Sequence, residues 1–293
     1  MAQTSMPEQK YRAEISRRNP TLFVFLIDRS GSMNEPFGND VAVRKKDGVA
    51  DIINRTLDVL VDRCAKGHEI LNRYSISVIG YGGHVEFAFG GPLAARPRVS
   101  IAELAQHPLR IEERTRQVYD GAGGCFTETI KFPIWFEPVA DGNTPMAPAL
   151  ELAYQVVAEF VQEHPLAFPP IVMNITDGQP DPGTEPEVES VANRLRNLAT
   201  QDGQVLLFNA HISESTGQPI LFPDSHAILS DQYARFLFRI SSVLPPTLLR
   251  AARSMYPNLR LGDQARGFAY QADLVSVVQF LDIGTIATRS VAR

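Results

Sequence analysis

The 293-residue chain is poor in cysteine and tryptophan and carries no excess of positive charge. Its two cysteines, Cys64 and Cys125, show no Cys-x-x-Cys spacing. That argues against a zinc site and against a disulfide scaffold, and it suits a reducing cytoplasm. Lys and Arg number 28 against 33 Asp and Glu, a formal charge of −5. Nucleic-acid binding through a broad basic face is therefore not expected. No apolar run approaches the length of a membrane span. The first twenty residues are polar and lack the apolar core of a secretory signal, so residues 1–19 read as a flexible tail. There is no P-loop, no Gly-x-Ser-x-Gly and no His-Glu-x-x-His, and the six histidines form no close ligand pair. What remains is an ordinary globular composition, 44% apolar and 21% charged, with enough apolar residues for a large core.

The most informative stretch is residues 21–33, TLFVFLIDRSGSM. Thr21 to Ile27 are β-branched, aromatic or leucine, which predicts a fully buried strand. The strand ends in Asp28, and a Ser/Gly turn follows. A carboxylate and two hydroxyls thus fall at alternate positions, Asp28, Ser30 and Ser32, just past the carboxyl end of a buried strand. In open α/β sheets ligands bind there. Three oxygen groups without His or Cys suit a hard cation such as Mg²⁺.

Downstream, helical spacing over Val41 to Cys64 predicts a helix, with Lys45, Lys46 and three aspartates on its other faces. Tyr74–Tyr81 and the alternating Val85, Phe87 and Phe89 read as a hairpin around Gly82-Gly83. A short helix capped by Ser100 is expected next. Residues 107–140 read as an inserted β-ribbon hinged at Asp120 to Gly124. Its Phe132, Trp135 and Phe136 either form a partner surface or pack the ribbon onto the domain. Asp141-Gly142-Asn143-Thr144 precedes a helix from Ala147 to Glu163. Ile171–Thr176 is a second buried strand, ending in Asp177-Gly178. A helix over Glu185–Thr200, a strand over Val205–Ala210, two helices over 231–242 and 246–255, a short strand at 267–270 and a last helix from 274 to about 286 complete the chain. His211, ending a strand, reads as a satisfied structural histidine, and Asp181 and Glu185 as a solvated loop and a helix first turn. Alternating strands and helices imply a mostly parallel α/β sheet with helices on both faces, in one domain spanning about 20–288.

Asp28-x-Ser30-x-Ser32, then Thr144 in a Gly-containing loop, then Asp177-Gly178 after a later strand: this order resembles the metal-ion-dependent adhesion site of the von Willebrand factor A family. The resemblance covers nearly the whole chain. It implies a doubly wound, Rossmann-like sheet with one antiparallel edge strand. It also implies that Ser30 and Ser32 bind Mg²⁺ or Mn²⁺ directly and that Thr144 binds directly or through water. Asp28 and Asp177 would act mainly through bound waters and by orienting the hydroxyls. Gly31 and Gly178 would permit tight turns.

Two carboxylates held mostly off the metal leave it short of negative charge. In the family its open position takes an Asp or Glu of a partner protein. The resemblance thus implies metal-dependent protein–protein interaction rather than catalysis, with neither nucleic acid nor membrane as partner. It further suggests a bacterial stand-alone domain like those associated with tellurite resistance, stress responses, and kinases and phosphatases. A metal-dependent phosphoester hydrolase on the same scaffold and an adaptor to an AAA+ ATPase are the alternatives.

Overall fold

A computed structural model describes residues 10–37, 40–119, 124–212 and 218–285. In chain order the strands of the main sheet and of the ribbon are β1 (Thr21–Asp28), β2 (Tyr74–Tyr81), β3 (Val85–Phe87), β4 (Val99–Ser100), β5 (Arg110–Tyr119), β6 (Cys125–Ile134), β7 (Ile171–Thr176), β8 (Leu206–Ile212), β9 (Ile220–Leu221) and β10 (Phe268–Ala272). The helices are α1 (Lys45–Cys64), α2 (Ile101–Gln106), α3 (Met146–Glu163), α4 (Glu185–Asn197), α5 (Gln232–Ile240), α6 (Pro246–Met255) and α7 (Leu274–Gly284).

The eight residues of β1 are all buried, because the strand lies mid-sheet with helices over both faces. Its side chains alternate between two apolar cores. Phe23, Phe25 and Ile27 pack with α1, α2, α6 and α7, and Leu22, Val24 and Leu26 with α3, α4 and α5. The main sheet runs β9-β10-β8-β7-β1-β2-β3, with β4 also on β2. The β10-β8-β7-β1-β2 pairs are parallel, and β3 joins β2 antiparallel. This is the expected doubly wound sheet with its antiparallel edge. At the opposite edge β9 adds a short antiparallel pairing to β10 that two residues of sequence do not announce. Among the described residues no helix is long and apolar enough to cross a membrane.

Some expected boundaries shift. The helix predicted from Val41 begins at Lys45, because Asp40–Arg44 is extended and pairs antiparallel with Pro36–Phe37. The helix expected to reach Thr200 stops at Asn197, and Ala199–Thr200 pairs with Gly203–Gln204. Ser100 caps α2 in a full capping box with Glu103. The ribbon of β5 and β6 is present, although residues 120–123 of its hinge lie outside the described residues. Phe132, Trp135 and Phe136 are buried and pack the ribbon onto the domain, while Phe126 on β6 is exposed. Of the leading segment, residues 10–19 are described. Ile15 enters the first core, and the Tyr11 hydroxyl donates to the Gln204 carbonyl.

Candidate metal centre

From β1 the chain steps to β2 on one side, and later to β7 on the other. The crevice at the carboxyl ends of β1 and β7 is therefore the topological switch point of the sheet, where such folds place ligands. Register aligns Ile27 with Ile175, so Asp28 ends β1 beside Thr176, and Asp177 follows directly.

The Asp28 carboxylate is fully buried. One oxygen accepts from the Ser30 N–H at 2.8 Å, the other from the Thr176 hydroxyl at 2.6 Å. Burial pushes its pKa up from 3.8 to about 6, against the pull of these hydrogen bonds. The Ser30 and Ser32 hydroxyls lie 3.1 Å apart, and Ser32 Oγ donates to Asp177 Oδ1 at 2.8 Å. The structure thus gathers Asp28, Ser30, Ser32 and Asp177, and places Thr144 on the wall of the same open cleft, which measures about 470 Å³.

Three residues outside the predicted set shape the site. The first is Lys45, expected on a helix face away from the apolar stripe and only 3% exposed. Its ammonium donates to Asp177 Oδ2 at 2.8 Å and to Glu35 Oε2 at 2.9 Å. It occupies the first position of α1, where the helix dipole disfavours a cation, so the carboxylates must hold it there. The second is Asp181, read from sequence as a solvated loop residue. Its carboxylate accepts from the Thr144 N–H at 2.9 Å, and its own N–H donates to the Thr144 carbonyl, which locks the threonine loop. The third is His211, read from sequence as a satisfied structural histidine. It lines the cleft and stacks on Tyr270 at 5.3 Å, and its buried Nδ1 has no partner among the described residues. Burial lowers its pKa and keeps the ring neutral.

The glycine assignment also changes. A Cβ on Gly31 or Gly178 would meet only ordinary contacts. The close approach falls instead at Gly142, whose φ is +79° and whose Cβ would lie 2.4 Å from the Gly83 backbone. This contact lets Gly142 C=O accept from the Gly31 N–H, and Asp141 N–H reach the Arg29 carbonyl. The two loops are thereby joined. Lys45 becomes the first residue of α1 only once Asp40–Arg44 is seen to be extended. Asp181 and His211 carry no local signal, because their partners lie far away in the chain.

The donor set fits a hard divalent cation. Ser30 Oγ, Ser32 Oγ and Asp177 Oδ1 are spaced 3.1 and 2.8 Å in succession, near the roughly 3 Å edge of an octahedron of oxygens around Mg²⁺. Among the described residues no group of three or more His, Cys, Asp or Glu could hold a metal, so the hydroxyls are needed for such a site.

No family model and no curated protein matches the chain. Similar solved structures include a von Willebrand factor type A protein from Catenulispora acidiphila, at 13% identity and TM-score 0.41, covering 76% of this chain and 36% of that one. The manganese-loaded TRAP protein of Plasmodium vivax is 15% identical with TM-score 0.41, covering 91% and 73%. The PilB minor pilin of Streptococcus sanguinis is 9% identical with TM-score 0.44, covering 94% and 62%. This chain thus spans about a third of the Catenulispora protein. The observed architecture is a doubly wound, mostly parallel α/β sheet with an antiparallel edge strand and helices on both faces.

Proposed function

We propose that the chain is a metal-dependent protein-interaction module. Ser30 and Ser32 would hold Mg²⁺ or Mn²⁺ through their hydroxyls, with Thr144 on the cleft wall. Asp28 and Asp177 would supply charge and hold the hydroxyls in place. The bound cation would supply Lewis acidity toward one external anionic oxygen. A carboxylate from an Asp or Glu of a partner protein fits that role. The observation that carries this reading is the oxygen cluster Ser30–Ser32–Asp177 at the switch point, opening into a cleft. Asp28 sets the loop by accepting from the Ser30 N–H, and Asp181 fixes Thr144 opposite it.

The test is Mn²⁺ and Mg²⁺ titration of wild type and Asp28→Ala by calorimetry, with and without acetate as a stand-in for the partner carboxylate. Saturable binding by wild type alone is expected, with circular dichroism confirming that the variant folds. Absence of binding by wild type under both conditions overturns the reading. Turnover of a phosphoester by wild type but not by the variant would favour hydrolysis instead.

A further inference from the structure

The buried ammonium of Lys45 is the feature of this site that the metal reading does not use. Asp177 has both oxygens engaged by protein groups, Ser32 on one and Lys45 on the other. The side chains of Lys45 and Asp177 are 4% and 1% exposed, so solvent screens the pair little. Lys45 also reaches Glu35, whose side chain is half-exposed at the mouth of the same cleft. The lysine therefore joins a fixed carboxylate inside the site to one that water can solvate.

We propose that Lys45 is a tethered cation that competes with the divalent metal for Asp177 and makes metal binding depend on the partner's carboxylate. The proposal rests on the metal-site reading above. Charge supplies the argument. Without the lysine, Asp28 and Asp177 would present two negative charges to the metal. Lys45 offsets the charge of Asp177, and although it also meets Glu35, that carboxylate stands half-exposed at the mouth where water screens it, so a divalent ion bound inside the site leaves an uncompensated positive charge. That excess weakens metal binding alone and strengthens the demand for an external anion. By linkage the anion must tighten the metal by the same factor that the metal tightens the anion. Lys45 thus acts as a positioning and specificity residue rather than as a ligand.

The experiment is Mn²⁺ calorimetry on the full chain for wild type, Lys45→Met and Lys45→Gln, each with and without saturating acetate. Without acetate, both variants should bind Mn²⁺ about tenfold more tightly than wild type, or more. Acetate should tighten Mn²⁺ binding to wild type at least about fivefold, and to the variants clearly less. Equal or weaker Mn²⁺ binding by both variants overturns the proposal. So does an acetate effect of the same size in all three proteins. If wild type binds Mn²⁺ and Asp28→Ala does not, such results remove only the role of Lys45. If no protein binds Mn²⁺ with or without acetate, the metal reading falls and this inference with it. Removing Lys45 also strips Asp177 of a counter-charge, so both variants should melt lower in EDTA. If they stay folded there but are too unstable for calorimetry, the readout becomes the rise in melting temperature on adding Mn²⁺. A rise larger than that of wild type is expected, and a smaller one overturns the proposal.

Discussion

Asp28 is buried away from water, with Asp177 nearby, and burial raises its pKa to about 6. The folded chain binds the proton of Asp28 more tightly than the unfolded chain does. Stability therefore falls as pH rises from about 4 to about 6, and the cost is complete above that. Moving the carboxyl from 3.8 to about 6 corresponds to about 3 kcal/mol. Asp28→Asn removes the charge while keeping an acceptor for the Ser30 N–H. In EDTA at neutral pH this variant should melt higher than wild type, with the gap closing as the pH is lowered toward about 4. Mn²⁺ should reverse the ranking by stabilising wild type alone. Thermal melts over that pH range check it, and a lower melting temperature for Asp28→Asn in EDTA at neutral pH overturns it. At this scale Asp28, Ser30 and Ser32 stand out in sequence, because an oxygen-rich turn after an apolar strand is a local pattern, whereas Thr144 and Asp177 were singled out by the order that the resemblance implies. Lys45, Asp181 and His211 were not, because each takes its role from partners that only folding brings close.

The ribbon of β5 and β6 is fastened to α1 by Asn54, beside the Arg114–Asp51 ion pair and Arg55 over the Phe132 ring. Buried Asn54 accepts from the Trp135 N–H at 2.9 Å and donates to the Phe136 carbonyl at 3.3 Å. The Trp135 indole N–H reaches the Leu104 carbonyl at 2.7 Å, and the Arg114 guanidinium covers the Phe132 ring at 3.8 Å. Asn54→Ala would leave a buried backbone donor and acceptor unpaired. It should cost about 2–3 kcal/mol in urea unfolding and leave Mn²⁺ affinity unchanged. A loss well under 1 kcal/mol would show that the aromatics and the ion pair hold the ribbon without it. Elements with their own periodicity, such as β1, β7 and α3, were legible in sequence. The paired segment before α1 and the edge strand β9 were not. Segments that short carry no period, and their pairing is decided by the sheet they meet.

Across the whole molecule the sheet is tied together by a row of buried polar groups. The Tyr81 hydroxyl donates to Asn174 at 2.7 Å, and Asn174 donates to Asn209 at 3.0 Å. Asn209 donates to the Ser241 hydroxyl at 2.9 Å, and Ser241 closes the row on the Leu237 carbonyl. This row runs from the strand end beside Asp28 through β7 and β8 to the end of α5. In sequence, Asn174 and Asn209 are lone polar residues inside apolar runs, with nothing local to announce that they meet. A buried row of this kind penalises its own interruption more than its replacement, because a broken row strands donors and acceptors without water. Asn174→Val and Asn209→Val should each cost about 2–4 kcal/mol. The double variant should cost at least about 1 kcal/mol less than their sum, since it removes both ends of one hydrogen bond. Urea unfolding of the four proteins measures the coupling. Additivity within about 0.5 kcal/mol would mean that the asparagines act separately, and that the sheet is held in register by its apolar packing alone.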